Sequence, residues 1–211
     1  MIGVYDYTVI LTYLSLISSV TGIIMAMNGQ PFYAVLCLMA SGLFDMFDGT
    51  VARTKKRSEI EKRFGIQIDS LSDIIGFGVL PVVIGYSIGL TKWYYIPAFC
   101  VFVLGALIRL AYFNVNEEEV SKTKLGRSKS FIGLPTTSVA LILPIIYFFK
   151  NIIGSSFEYV YCVALIIISV LFVAKFNFIK KPSKRLKILF IILGIIEVFL
   201  VYQGLRLWKI G

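Results

Sequence analysis

The sequence predicts an all-α protein, a polytopic integral membrane helix bundle with about six core transmembrane helices plus an extra C-terminal one. Three observations predict it. Of the 211 residues 58% are hydrophobic, above the ~45–50% apolar content of soluble domains. The excess is gathered into runs of roughly 18–25 residues, each long enough to cross a bilayer as a helix. A soluble bundle built from such runs would have no polar face to turn to water.

Seven spans follow in order, at about 5–27, 32–54, 64–89, 93–115, 131–149, 157–176 and 186–207. The first keeps no signal-peptide character, because MIGVYDYTV has no basic residue and no small-residue cleavage site follows. It is expected to stay as an ordinary helix. Gly29–Pro31, Leu90–Lys92 and Asn151–Ser156 are short connections on one side of the membrane. Residues 55–63, 116–130 and 177–185 form the loops of the other side. No internal repeat or low-complexity tract interrupts the chain, so 1–211 reads as a single membrane domain. The last span, within 183–211, reads as an appendage.

Charge orients the bundle. The net charge is +9, and the basic residues crowd into 53–63, 122–129 and 175–187, whereas Lys92, Lys150, Arg206 and Lys209 lie opposite. The positive-inside rule then puts the N-terminus and the three charged loops in the cytoplasm. The same surface suits contact with anionic membrane lipid. Nucleic acid is excluded as a partner, since no aromatic-interleaved or groove-reading element accompanies the charge. Cys37, Cys100 and Cys162 sit inside apolar runs and read as small hydrophobes. The chain has no histidine, which removes imidazole as ligand or base.

Against this apolar background stand four acids. Asp45 and Asp48 close the run AVLCLMASGLFDMFDGTVAR, and Asp69 and Asp73 open the run GIQIDSLSDIIGFGVLPVVIG. A carboxylate at bilayer depth costs roughly 2.5–3.5 kcal/mol on insertion scales, so cations must hold them. On a helix Asp45 and Asp48 stand about 60° apart, and Asp69 and Asp73 about 40°, so each pair shares a face. Packed side by side, the two helices make one acidic pocket on the cytoplasmic half. Carboxylate donors without histidine or thiolate favour Mg²⁺, Mn²⁺ or Ca²⁺. A pair of such ions is the usual device of phosphoryl chemistry. Gly49 and Gly65 lie on the acidic faces, where a ligand can approach the backbone or where helices pack closely. Arg53, at the cytoplasmic lip, suits a diphosphate or an interfacial role.

Asp45-x-x-Asp48-Gly49-x-x-Ala52-Arg53 followed by Gly65-x-x-x-Asp69-x-x-x-Asp73 resembles the signature of the CDP-alcohol phosphotransferase family. The one departure is a longer stretch between Arg53 and Gly65, in a charged loop where insertion costs little. Within the family, DSLSDIIGFGVLP, GALIRLAYFNV, SFIGLPTT and KFNFIKKPS are similar to segments of the membrane phosphatidylserine synthases. The resemblance covers roughly residues 5–183 and implies a core of 1–182 with an additional helix in 183–211.

The resemblance implies an enzyme that transfers the phosphatidyl group of a CDP-activated lipid, diacyl or ether, to L-serine and releases CMP. It implies two divalent ions, Mg or Mn, on Asp45, Asp48, Asp69 and Asp73, with Asp73 also the general base. Diphosphate and nucleotide would meet Gly49, Ala52, Arg53 and Gly65. Thr12, Ser15 and Ser18 lie at spacings of three on span one, and either contact cytidine or bond between helices. The family's Pro-Asn ahead of this threonine is Thr8-Val9 here. For the serine carboxylate the candidate is Arg109, whose other reading is an ion pair with an aspartate. Asn114, Arg127, Lys129 and Ser130 would assist. A homodimer in the cell membrane, with its active site facing the cytoplasm, is the expected setting. Another acceptor, glycerol phosphate or inositol phosphate, would call for more arginines. A cation transporter would leave the glycines and Arg53 unexplained and would be expected to show repeats and broken helices. Glu197, inside the last span, receives no role.

Overall fold

The computed structural model describes residues 3, 6–52, 54–123, 131–175 and 177–178, with the backbone alone at 119–123, 131–132 and 177–178. The expected seventh span and Glu197 lie outside the described residues, as do Arg53, Arg127, Lys129 and Ser130.

A 3₁₀ turn at Tyr7–Val9 leads into α1, Ile10–Met27, and α2 follows at Pro31–Val51. The two form a hairpin. Its turn uses Gly29 in the left-handed region, at φ 71°, where glycine ends a helix without a Cβ clash. Pro31 then starts α2, where its missing N–H leaves no ladder bond unmade.

Ser58 caps α3, Glu59–Asp73, and its hydroxyl accepts from the Glu61 N–H while the Glu61 carboxylate accepts from the Ser58 N–H. This capping box starts the helix five residues before the expected 64. The helix widens into a π segment at Ile74–Val79 and continues as α4, Leu80–Ser87. Gly76 in the π segment faces α1 and α2 so closely that a Cβ there would come within 2.7 Å of the Ser19 hydroxyl and 3.0 Å of the Ser41 hydroxyl. Pro81 falls in the first turn of α4, and its carbonyl accepts from the buried Tyr161 hydroxyl at 2.9 Å.

A 3₁₀ turn at Trp93–Tyr95 opens α5, Ile96–Thr123. At 28 residues it is about 42 Å long, more than a bilayer needs. The expected fifth span begins differently. Phe131–Ile132 (β1) is extended and pairs antiparallel with Asn177–Phe178 (β2). Gly133 reverses the chain at φ 79°, and Pro135 precedes a 3₁₀ turn at Thr136–Ser138 and α6, Val139–Phe148. Thr136–Phe148 is about 20 Å long, short for a full crossing. After α7, Lys150–Ile153, a 3₁₀ turn at Gly154–Ser156 leads to α8, Phe157–Val173.

Five helical stretches are thus long and apolar enough to span a membrane, with the shorter Thr136–Phe148 as a sixth. The protein is a polytopic membrane helix bundle. Small residues set its tightest crossings: Gly42 against Ala140 joins α2 to α6, and Gly105 against Ser169 joins α5 to α8. Phe77, Leu80, Phe102, Tyr161 and Phe172 fill the centre. The Phe102 and Phe172 rings meet at 5.8 Å.

Candidate active site

The last turns of α2 and the last turns of α3 bring the acids together. One carboxylate oxygen each from Asp45, Asp48 and Asp69 lies within 4.8 Å of the other two. Asp73 is 8% exposed and in electrostatic contact with Asp45, Asp69 and Asp48. Asp45, Asp48 and Asp69 are half-buried and Asp73 is buried, so four carboxylates repel one another with reduced hydration. A hard divalent cation would offset both costs, and the all-carboxylate donor set fits one. Sequence spacing expected this convergence, and the packing of α2 and α3 against α1 produces it.

Two hydroxyls hold the α2 acids from opposite sides. Thr12 of α1 donates to Asp48 Oδ2 at 3.2 Å. Thr137, in the 3₁₀ turn before α6, donates to Asp45 Oδ2 at 2.6 Å. Thr137 was not a sequence candidate. The one available signal was a polar Thr136-Thr137 pair within an otherwise apolar span.

The remaining candidates separate. Gly49 is exposed on the last turn of α2, and a Cβ placed there would meet nothing within 4 Å. The glycine leaves open space beside Asp48 rather than serving a helix crossing. Gly65 faces the guanidinium of Arg57, whose Nη1 would lie 3.0 Å from an added Cβ. The Ala52 N–H closes α2 onto the Asp48 carbonyl at 2.7 Å. Ser15 binds the Ser41 hydroxyl at 2.8 Å, and Ser18 donates to the Cys37 carbonyl at 2.9 Å, so both join α1 to α2. Of the three span-one hydroxyls, only Thr12 reaches a site carboxylate.

Arg109 and Asn114 lie on different sides of α5, about 140° apart by helical spacing. Asn114 accepts from Ser70 of α3 at 2.8 Å, beside Asp69. Arg109 is 8% exposed and donates to the Gly133 carbonyl at 3.5 Å. It also lines a cavity of about 210 Å³ with Tyr112, Phe172 and Lys175.

At the end of the bundle that bears the α2–α3 loop, two contacts tie the N-terminal segment to that loop. Lys55 Nζ meets Asp6 Oδ2 at 2.6 Å, and this ammonium holds the Asp6 carboxyl below its ordinary range. Tyr7 Oη and Thr54 Oγ1 share a hydrogen bond of 3.1 Å. Sequence spacing gave no hint of either, because each joins segments about 48 residues apart whose proximity depends on the α1–α2 hairpin.

Fold and site together define a class: multi-pass membrane proteins that gather carboxylates from two helices into one cluster. The family model for CDP-alcohol phosphatidyltransferase matches residues 8–174, and the chain belongs to that family. Among similar curated proteins is the CDP-diacylglycerol--serine O-phosphatidyltransferase of Saccharomyces cerevisiae, 38% identical over 126 residues, covering 57% of this chain and 45% of the yeast protein. The archaetidylserine synthase of Methanothermobacter thermautotrophicus is 33% identical over 139 residues, 65% of this chain and 56% of the relative. A second CDP-diacylglycerol--serine O-phosphatidyltransferase, from Helicobacter pylori, is 28% identical over 207 residues, 93% of this chain and 82% of its own length. The chain thus spans under half of the yeast relative and most of the Helicobacter one.

Proposed function

We propose that the protein transfers the phosphatidyl group of a CDP-activated lipid to L-serine and releases CMP. The observation that carries this reading is the meeting of Asp45, Asp48 and Asp69 beside the open face of Gly49. The serine-specific names of the yeast and Helicobacter relatives, and the archaetidylserine synthase name, support serine as acceptor.

Asp45, Asp48, Asp69 and Asp73 would hold Mg²⁺ or Mn²⁺, two ions in the reading favoured here, and such ions neutralise a diphosphate and polarise its oxygens. The chain's own residues do the rest. Gly49 leaves room for the diphosphate to approach α2, and Ala52, Arg53 and Gly65 are the further candidates to contact the nucleotide. Asp73 accepts the proton of the serine hydroxyl as the new oxygen–phosphorus bond forms. The bond from that phosphorus to the CMP oxygen breaks, and CMP leaves with the electron pair. Thr12 keeps Asp48 oriented. Arg109 binds the serine carboxylate from its cavity, which is large enough for an amino acid and has Lys175 as a second cation. Asn114, on the Ser70 side of α5, and Arg127, Lys129 and Ser130 are the further candidates for the acceptor. The reaction takes place at the cytoplasmic face of the cell membrane, within a core of residues 1–182.

The test is a transfer assay in detergent with CDP-diacylglycerol or its archaeal ether analogue, Mn²⁺ or Mg²⁺, and serine. Serine-dependent CMP release is expected. Release only with glycerol phosphate or inositol phosphate would overturn serine as acceptor. No release with any alcohol, together with aspartate-dependent cation flux in liposomes, would overturn the enzyme reading altogether.

A further inference from the structure

We propose that Thr137 is a positioning residue that fixes the Asp45 carboxylate for cation binding. The hydroxyl donates to Asp45 Oδ2 at 2.6 Å across 92 residues of sequence. A hydrogen bond to one oxygen restricts rotation of the carboxylate and leaves acceptor capacity for a cation. Hydrogen-bonded partners of metal-ligating carboxylates typically matter about 10–100-fold in metal affinity or activity.

The loop that presents Thr137 is itself fastened at several points. β1 pairs with β2 through Phe131 opposite Phe178 and Ile132 opposite Asn177. The Leu134 N–H donates to the Leu171 carbonyl of α8 at 3.2 Å. The Gly133 carbonyl accepts from Arg109 at 3.5 Å, and a side chain at Gly133 would crowd the Ala174 and Phe172 carbonyls, both at 3.2 Å, besides straining its positive φ. Pro135 then fixes the chain direction just before the 3₁₀ turn. The hydroxyl is therefore delivered by a segment with little freedom to move. Asp48 receives the equivalent bond from Thr12 on the opposite side. Each α2 carboxylate thus has one hydroxyl donor from a different element. The bland alternative is a hydroxyl that joins α2 to the α6 side and nothing more; metal affinity separates the two.

The experiment measures Mn²⁺ binding to the detergent-solubilised full chain by electron paramagnetic resonance of free Mn²⁺, with no substrate present. Thr137→Val should weaken binding about tenfold or more, Thr137→Ser should restore it, and Thr136→Val, one residue away, should leave it unchanged. If the valine variant does not fold, Thr137→Ala replaces it, since a smaller side chain cannot clash. Wild-type Mn²⁺ affinity in the folded Thr137→Val or Thr137→Ala protein would overturn the proposal. In the transfer assay, excess Mn²⁺ should recover the rate of the variant. That arm rests on the phosphatidyl-transfer reading; the binding arm does not, so failure of one is distinguishable from failure of the other.

Discussion

Asp73 is the proposed general base. It is the most buried of the four acids and lies close to Asp45. Replacing it by asparagine keeps the shape and removes the proposed base. Asp73→Asn should abolish CMP release while CDP-lipid binding, measured separately, stays largely intact; wild-type turnover would remove Asp73 from the proton transfer. Arg109 carries the second residue-level prediction. A guanidinium offers a planar fork to a carboxylate, which the lysine ammonium lacks. Arg109→Lys should raise the KM for serine about tenfold, the equivalent of roughly 1.4 kcal/mol, and leave the KM for CDP-lipid unchanged. Equal rises in both constants would show a general loss of shape. The acids were legible in the sequence because a carboxylate in an apolar run has few explanations. Thr137 was not, because a hydroxyl in a membrane helix has many, and its partner is 92 residues away.

Helices explain how acids from different sequence depths come level. Asp48 lies three residues, about 4.5 Å, from the end of α2 at Val51, while Asp69 lies ten residues, about 15 Å, from the start of α3 at Glu59. Their oxygens meet, so α3 must project about 10 Å beyond α2. The projecting turns are the polar EIEKR, and α5 projects on the same side, since Arg63 reaches Glu118 at 3.4 Å. The Ser58-x-x-Glu61 box was readable as a helix start and would have placed α3 correctly. The π segment was not readable: Gly76 within it sits against the Ser19 and Ser41 hydroxyls, a closeness that exists only in the packed bundle. Two glycines of α2 give opposed expectations. A Cβ at Gly42 would collide with the Ala140 Cβ, so Gly42→Ala should cost about 1–3 kcal/mol and lower the thermal transition in detergent. A Cβ at Gly49 meets nothing within 4 Å, so Gly49→Ala should leave that transition unchanged or higher while raising the KM for CDP-lipid. An unaltered KM in Gly49→Ala would mean that the open space serves no ligand.

For the molecule as a whole, orientation follows from where the charge lies. The α2–α3 loop carries Lys55, Lys56 and Arg57, whereas the connection after α4 carries Lys92 alone. The positive-inside rule expects short loops with such an excess to stay in the cytoplasm. The acids lie at the end of the bundle that bears this loop, so a soluble nucleotide product would leave into the cytoplasm. Lys56 and Lys92 are both exposed and sit at opposite ends of the α3–α4 stretch, which makes them suitable reporters. In a chain whose Cys37, Cys100 and Cys162 are replaced by alanine, Lys56→Cys should react with a membrane-impermeant maleimide in inverted vesicles and be protected in right-side-out ones. Lys92→Cys should show the reverse. The opposite pattern would turn the bundle over and place CMP release outside the cell. The α2–α3 acids would keep their mutual geometry in that case, because their convergence depends on helix packing and not on which compartment faces them. Membrane orientation and the convergence of the acids are therefore separable, and labelling addresses the first without touching the second.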